Sequence, residues 1–83
     1  MKRIYRIPGV DEHIGRRLKA RRTELRITQK ELAEALGLAP QQIQKYETGI
    51  NRMSAAVLYT LTVALDLPVA FFFAGFEAAT HNG

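Results

Sequence analysis

The sequence of 83 residues contains no cysteine and no tryptophan, and only three prolines. Without cysteine there is no disulfide framework, no thiolate metal site and no thiol nucleophile. A secreted domain of this size usually needs disulfides, so their absence predicts a protein of the reducing cytoplasm. The longest apolar stretch, Pro68 to Gly75, is far too short to span a bilayer. No apolar run of signal-peptide length follows the N-terminus MKRIYRIPGV. We therefore expect one small domain without membrane contact.

Catalytic and cofactor-binding patterns are also missing. The two histidines, His13 and His81, lie far apart in the sequence. There is no HExxH motif, Cys/His cluster, nucleophile motif or glycine-rich phosphate loop. This predicts that the protein is not an enzyme and holds no metal or cofactor. We expect no small-molecule ligand either.

Charge is distributed unevenly along the chain. Residues 1–52 contain all 12 Lys and Arg with six acidic residues, a net charge of +6, whereas residues 53–83 contain only Asp66 and Glu77, a net charge of −2. The basic part suits a polyanion, and the second part suits a core or a protein partner. Charge alone does not distinguish DNA from RNA or an anionic lipid. Apolar residues make up 47% of the chain, which predicts a compact fold rather than disorder.

The stretch TQKELAEALGLAPQQIQKYETG, Thr28 to Gly49, reads as two short helices joined by a tight turn. Thr28 and Glu31 have the spacing of a capping box at the start of the first helix. Gly37 is placed to end it with a positive φ. Pro40 suits the first position of the second helix, because its φ is preset and it has no amide to leave unpaired.

The second of these helices has one apolar side and one polar side. Ile43, Tyr46 and Glu47 point one way, and the outer positions hold amides and an ammonium: Gln41, Gln42, Gln44 and Lys45. Such a face suits the DNA major groove, where Gln pairs with adenine and Lys donates to guanine. Two roles remain open for Gln42: base contact, or capping an amide left free by Ala39, which is a poor N-cap.

Three further helices are predicted around this pair. The first runs from Glu12 to about Glu24 with Asp11 as N-cap, the fourth from Ala55 to about Leu65 behind Ser54, and the fifth from Pro68 to about Ala74. Arg22 falls on the apolar stripe of the first helix, so its charge needs a partner. Arg26 stands where a glycine often ends such a helix, so either it adopts a left-handed conformation or the helix ends differently.

These elements divide the chain into three parts. Residues 1–10 form a basic arm whose Lys2, Arg3 and Arg6 either contact DNA or are simply solvated. Residues 11–75 form the helical domain, and residues 76–83 form a tail. Three consecutive phenylalanines, residues 71–73, cannot all face the core of a helix. The residues 71–73, Phe76 and the region of Met53 are therefore candidates for a dimer surface, or else complete a small core.

The pattern from Ile14 to Phe73 resembles the Cro/C1-type (XRE-type) helix-turn-helix DNA-binding domains. The matching segments are IGRRLKARR, TQKELAEALGL, IQKYETG and LYTLTVALDLPVAFFF, about three quarters of the chain. The form QQIQKYETGINRMSA looks most like an alphaproteobacterial subgroup of these regulators. The resemblance implies an all-α, lambda-repressor-like bundle of five short helices, in which helices two and three form the helix-turn-helix.

The resemblance also implies roles for individual residues. Base contacts fall to Gln41, Gln42, Gln44, Lys45 and Asn51, and phosphate contacts to Gln29, Lys30, Arg52 and Arg17. Arg22 and Glu47 correspond to an internal ion pair between helices one and three. Two positions depart from the family pattern: Pro40 replaces a residue that is often a base-reading Gln, and Ala39 replaces the usual Ser or Thr cap.

The expected function is sequence-specific binding of duplex DNA by a small transcriptional regulator. One such domain reads few base pairs, so a homodimer on an inverted repeat is expected, with the helix Pro40–Thr48 in the major groove. The expected location is the bacterial cytoplasm, on the nucleoid when DNA is bound. The alternative is a DNA-binding antitoxin or interaction module that acts mainly through a protein partner. Its mark would be an additional partner-binding segment.

Overall fold

The structure, a computed structural model, describes residues 7–77, and this part of the chain consists of helices and turns. Its elements are the α-helices α1 (Val10–Glu24), α2 (Gln29–Leu36), α3 (Pro40–Thr48) and α4 (Ala55–Ala64), and a 3-10 segment (Val69–Phe72). The all-α class is confirmed. The residues Lys2, Arg3 and Arg6 of the expected arm, and the tail beyond residue 77, lie outside the described residues.

The predicted fifth helix is wrong in type and length. In place of an α-helix from Pro68 to Ala74, the chain forms four residues of 3-10 helix, with Pro68 as N-cap. Only residues 69–74 lie between Pro68 and Gly75, fewer than two turns of an α-helix, and short pieces of 3-10 helix are frequent in such segments. Over residues 7–77, the bundle therefore has four α-helices and one 3-10 segment.

The start of α1 was predicted two residues too late. The helix begins at Val10, with Gly9 rather than Asp11 at the N-cap position and with φ of 87° at that glycine. Its first-turn hydrogen bond runs from the His13 amide to the Gly9 carbonyl, 3.0 Å. Asp11 and Glu12 then lie inside the first turn, where their negative charge is favourable to the helix dipole.

The predicted ends of α2 are confirmed. The Thr28 hydroxyl accepts from the Glu31 amide at 3.0 Å, and the Glu31 carboxylate accepts from the Thr28 amide at 2.8 Å. Gly37 ends the helix with φ of 71°. The next helix, α3, starts at Pro40 as predicted. The turn between the two helices is therefore defined by its own local residues.

Arg26 adopts the left-handed conformation, with φ of 59°. Its amide donates to the Thr23 carbonyl, and the following Ile27 amide donates to the Arg22 carbonyl, which closes the end of α1. A non-glycine residue in this conformation costs about 1–2 kcal/mol. Asp66 has φ of 54° at the corresponding place after α4. Both helices thus end in the same way without a glycine.

One hydrophobic core joins all five elements. Its buried members are Leu18, Leu32, Ala33, Ile43, Tyr46, Leu61, Leu65 and Phe72. α3 packs against both α1 and α2, and the 3-10 segment packs against α1 and α4. Of the three consecutive phenylalanines, only Phe72 is fully buried, while Phe73 is 44% exposed. In residues 7–77, no helix has the length and apolar character that crossing a membrane requires.

At Gly15, a residue to which the sequence pattern assigns no role, α1 lies very close to the backbone of α3. A Cβ atom at this position would lie 2.4 Å from the Tyr46 carbonyl oxygen and 2.5 Å from the Glu47 carbonyl oxygen. Both oxygens belong to the backbone of α3, so they cannot move aside without moving the helix. Glycine is therefore required here by space.

We expect Gly15→Ala to destabilise the domain by about 1–3 kcal/mol, because the added methyl group overpacks the α1–α3 contact. Helix propensity alone predicts the opposite sign, a stabilisation of about 1 kcal/mol, since Ala is a better helix former than Gly. Urea denaturation of the two proteins measures the difference. A variant more stable than the parent would show that the two helices are not in close contact at Gly15.

Candidate nucleic-acid interface

α3 buries one side and exposes the other. Ile43, Tyr46 and Glu47 are buried in the protein. At 100° per residue, the opposite side of the helix carries Gln41, Gln44, Lys45 and Thr48, and all four are exposed. Three of these were predicted as base-contacting or flanking residues. Thr48 was not, and its hydroxyl donates to the Gln44 and Lys45 carbonyls at 3.1 and 3.3 Å.

Gln42 lies at the edge of this exposed face and is half-buried. No side chain caps the start of α3 at Ala39, so Gln42 does not serve as the substitute cap that was one of its two possible roles. Its backbone amide instead donates to the Ala39 carbonyl at 2.9 Å. The first turn of α3 is held by Pro40 and by core packing rather than by a polar cap.

The loop after α3 is tied back to the helix. Gly49 ends α3 with φ of 81°, and the Asn51 amide donates to the Lys45 carbonyl at 3.2 Å. The backbone of Asn51 is therefore held against the last turn of α3, the turn that contains Lys45. The next residue, Arg52, is exposed, and its Nε lies 3.4 Å from Oδ2 of Asp11 at the start of α1. An exposed pair at this distance contributes little to stability.

Arg22 and Glu47 form a buried ion pair between α1 and α3. Arg22 Nε lies 2.5 Å from Glu47 Oε2, and Arg22 Nη2 lies 3.1 Å from Glu47 Oε1. The side chains are 12% and 3% exposed. The hydrogen bond to Glu47 raises the pKa of Arg22, and this outweighs the lowering by burial. The third guanidinium nitrogen, Nη1, donates to the Ile27 carbonyl at 2.8 Å, so all of its nitrogens are paired.

Gln29, at the start of α2, also bonds to this pair. Its Nε2 donates to Glu47 Oε1 at 3.0 Å. One side-chain N–H of the predicted phosphate ligand is thus already used inside the protein. Lys30, the next residue, is exposed. Arg22, Gln29 and Glu47 therefore join α1, α2 and α3. Of their contacts, only the ion pair between Arg22 and Glu47 was predicted from the sequence.

Arg17 lies apart from these residues. Its Nε donates to the Phe71 carbonyl at 2.8 Å, and its guanidinium carbon lies 3.9 Å from the centre of the Phe71 ring. His13 and Arg21 lie four residues before and after Arg17. His13 Nε2 lies 2.8 Å from the Ala74 carbonyl, and Arg21 Nε donates to the Leu65 carbonyl at 3.1 Å. These three side chains of α1 therefore hold residues 65–74, the C-terminal segment, and the phosphate contact of Arg17 stays a prediction.

Within residues 7–77, no three His, Asp or Glu side chains converge in an arrangement that could hold a metal ion. What the exposed face of α3 offers is hydrogen-bond donors and acceptors with a positive charge, which is chemistry for recognition rather than for reaction.

Comparison with known proteins agrees with this arrangement. A family model described as helix-turn-helix matches residues 18–72. An uncharacterized transcriptional regulator of Rhodospirillum rubrum, from its ATPase CF(0) region, is 48% identical over 79 residues, covering 93% of this chain and 73% of that protein. An uncharacterized helix-turn-helix regulator of Sinorhizobium medicae is also 48% identical, over 77% of this chain, which spans only 46% of that relative's length.

A solved structure supports the same fold. The clp gene regulator ClgR of Corynebacterium glutamicum superposes with a TM-score of 0.74 and 30% identity. The alignment covers 80% of this chain and 86% of that one. The likeness therefore extends over the helical part of the chain and is not confined to the pair α2–α3.

We expect Arg22→Met to destabilise the domain by about 3–5 kcal/mol, because it leaves the Glu47 carboxylate buried and unpaired. Replacing both residues by Met removes the two charges together and should cost about 1 kcal/mol or less. Urea denaturation of the single and double variants tests this difference. Equal losses in the two variants would mean that the ion pair is not the source of the effect.

Proposed function

Because this chain belongs to the XRE-type helix-turn-helix family of DNA-binding transcriptional regulators, we propose that it recognises a specific sequence of duplex DNA with α3 in the major groove. It does so as a homodimer on an inverted repeat and regulates transcription at that site. Members of such a family act by binding rather than by catalysis. Control at a promoter then follows from occlusion of the site or recruitment of other proteins to it.

The exposed face of α3 carries the proposal. Gln41, Gln44 and Lys45 lie side by side on the surface of a short helix, and the side chains opposite them are buried. Glutamine offers the paired donor and acceptor that adenine matches, and lysine offers donors for guanine. Asn51 follows on the loop tied to Lys45, and Gln42 stands at the edge of the face. We assign base contacts to these five residues.

Phosphate contacts position such a helix in the groove without reading the sequence. We assign them to Gln29 and Lys30 at the start of α2 and to Arg52 in the loop after α3. Lys30 and Arg52 are exposed. The contact between Arg52 and Asp11 is long, at 3.4 Å, and lies at the surface, so a phosphate can replace it at little cost.

We assign the homodimer contact to the outer side of α4. This helix contains no charged residue, and its outer side exposes Tyr59 and Val63, which are 70% and 66% exposed. The exposed apolar side chains of this helix can therefore meet those of a second copy without burying a charge of α4 itself. Half-sites read by the two copies are then expected about 34 Å apart, or a multiple of this spacing.

Selection of bound duplexes from a random pool tests the proposed function directly. We expect recovery of a short inverted repeat. Failure of the folded protein to retain any sequence, even at low salt, would contradict the proposal and favour the alternative in which the chain acts through a protein partner.

The two exposed lysines of the helix-turn-helix offer a matched comparison on the selected site. Lys45→Ala should weaken binding to it by about 1–3 kcal/mol and affect random DNA less, because Lys45 is assigned to a base. Lys30→Ala removes the same charge from an assigned phosphate contact and should weaken binding to both DNAs similarly. Fluorescence anisotropy measures these affinities. If Lys45→Ala loses equal binding free energy on the selected and on the random DNA, Lys45 contacts a phosphate and not a base.

Arg52→Ala should reduce the dependence of affinity on salt. Each phosphate neutralised contributes about 0.9 to the slope of log K against log salt concentration, so the slope should fall by about one. Titrations at several salt concentrations measure this. An unchanged slope would remove Arg52 from the phosphate contacts.

Tyr59→Arg should shift the chain toward monomer in sedimentation equilibrium, because it places a charge in the uncharged contact. Leu25→Arg is the control, since Leu25 is 39% exposed and lies at the end of α1 rather than on α4. A dimer that survives Tyr59→Arg, or one that Leu25→Arg disrupts equally, would place the interface elsewhere.

A further inference from the structure

Glu47 contacts two residues that have different predicted roles. One is Arg22, its partner in the buried ion pair, and the other is Gln29, which we assign to a DNA phosphate. Glu47 Oε1 accepts from both, from Arg22 Nη2 at 3.1 Å and from Gln29 Nε2 at 3.0 Å. The Glu47 side chain is 3% exposed. It is therefore buried behind Gln29 and has no direct access to DNA.

The contact with Glu47 determines which way the Gln29 amide is turned. An ionised carboxylate only accepts hydrogen bonds, so the NH₂ group of Gln29 must face it and the amide oxygen cannot. The NH₂ group has two N–H bonds, and one of them is used by Glu47. A phosphate also only accepts, so the second N–H is the side-chain donor that remains for it.

The start of α2, where Gln29 lies, is fixed by the same junction. Arg22 Nη1 donates to the Ile27 carbonyl at 2.8 Å, two residues before Gln29. The positive charge of Arg22 also compensates the negative charge of Glu47, so the carboxylate does not add an unbalanced repulsion to an approaching phosphate. A long polar side chain held in one orientation before binding loses less conformational entropy when it binds.

We propose that Glu47 is a positioning residue for DNA binding: it holds the Gln29 amide so that its free N–H is presented to a phosphate. This rests on the proposed function. The carboxylate that bonds α3 to α1 then also orients Gln29, the phosphate-contacting side chain at the start of α2. A purely structural Glu47 would stabilise the fold without acting through Gln29.

A thermodynamic cycle on the selected DNA site separates these roles. Gln29→Met keeps the length of the side chain without its donor, and Arg22→Met with Glu47→Met removes the acceptor without leaving a buried charge. With Gln29 present, loss of the Arg22–Glu47 pair should weaken DNA binding about two- to tenfold. In the Gln29→Met background, the same loss should weaken DNA binding by a clearly smaller factor, because the contact of Glu47 with Gln29 is already absent.

Equal factors in the two backgrounds would overturn the positioning role, since Glu47 would then act independently of Gln29. Circular dichroism confirms that each variant is folded at the temperature of the binding measurement. If the parent protein binds no DNA at all, the proposed function itself fails, and the phosphate role fails with it.

A measurement without DNA tests the contact itself. The side-chain amide signals of Gln29 in ¹H–¹⁵N spectra are assigned by their loss in Gln29→Met. We expect them to differ from those of the exposed Gln41 and Gln44 in the parent, and to move to the values of exposed glutamines in the Arg22→Met, Glu47→Met variant. Signals already equal to those of Gln41 and Gln44 in the parent would overturn the proposal.

Discussion

The ion pair between Arg22 and Glu47 is the constraint on which the arrangement of the helix-turn-helix depends. The Glu47 side chain is 3% exposed and that of Arg22 is 12% exposed, and charges removed from water in this way need close, hydrogen-bonded partners. The guanidinium meets this condition with two bonds to the carboxylate and one to the Ile27 carbonyl. These bonds have directions as well as energies. They hold α3 and the start of α2 in a defined orientation against α1, which nonpolar packing alone specifies less strictly.

The remainder of the domain divides into surfaces around this junction. Polar and basic groups lie on the exposed face of α3, at the start of α2 and at the start of the loop after α3. On α1, His13, Arg17 and Arg21 follow one another at intervals of four residues and contact backbone carbonyls of the C-terminal segment. The outer side of α4 is uncharged. Arg17 and Arg21 thus each use a guanidinium N–H inside the domain. The net charge of the chain therefore overstates how many basic groups of α1 are free for DNA.

Local sequence signals predicted the fold well where a few neighbouring residues decide the conformation. The capping box at Thr28, the end of α2 at Gly37 and the start of α3 at Pro40 are of this kind, and the structure contains all of them. Arg22 and Glu47 lie 25 residues apart, too far for a local pattern to pair them. Their pairing was therefore predicted only from the family resemblance. Periodicity showed only that Arg22 needed a partner.

Contacts between distant parts of the chain could not be read from the pattern. The close approach at Gly15 depends on where the α3 backbone passes, and the hydrogen bond from Arg17 to the Phe71 carbonyl depends on how the C-terminal segment folds back. Neither has a local signature. The bond from Gln29 to Glu47 likewise appears only when α2 and α3 are both in place.

Contact of duplex DNA with the exposed face of α3 and the start of α2 is tested by titrating the ¹⁵N-labelled protein with its selected duplex. We expect large changes in amide signals at residues 28–31 and 41–52, and small changes along residues 66–76, which pack on α1. Changes concentrated on residues 66–76, with the signals of α3 unmoved, would contradict it.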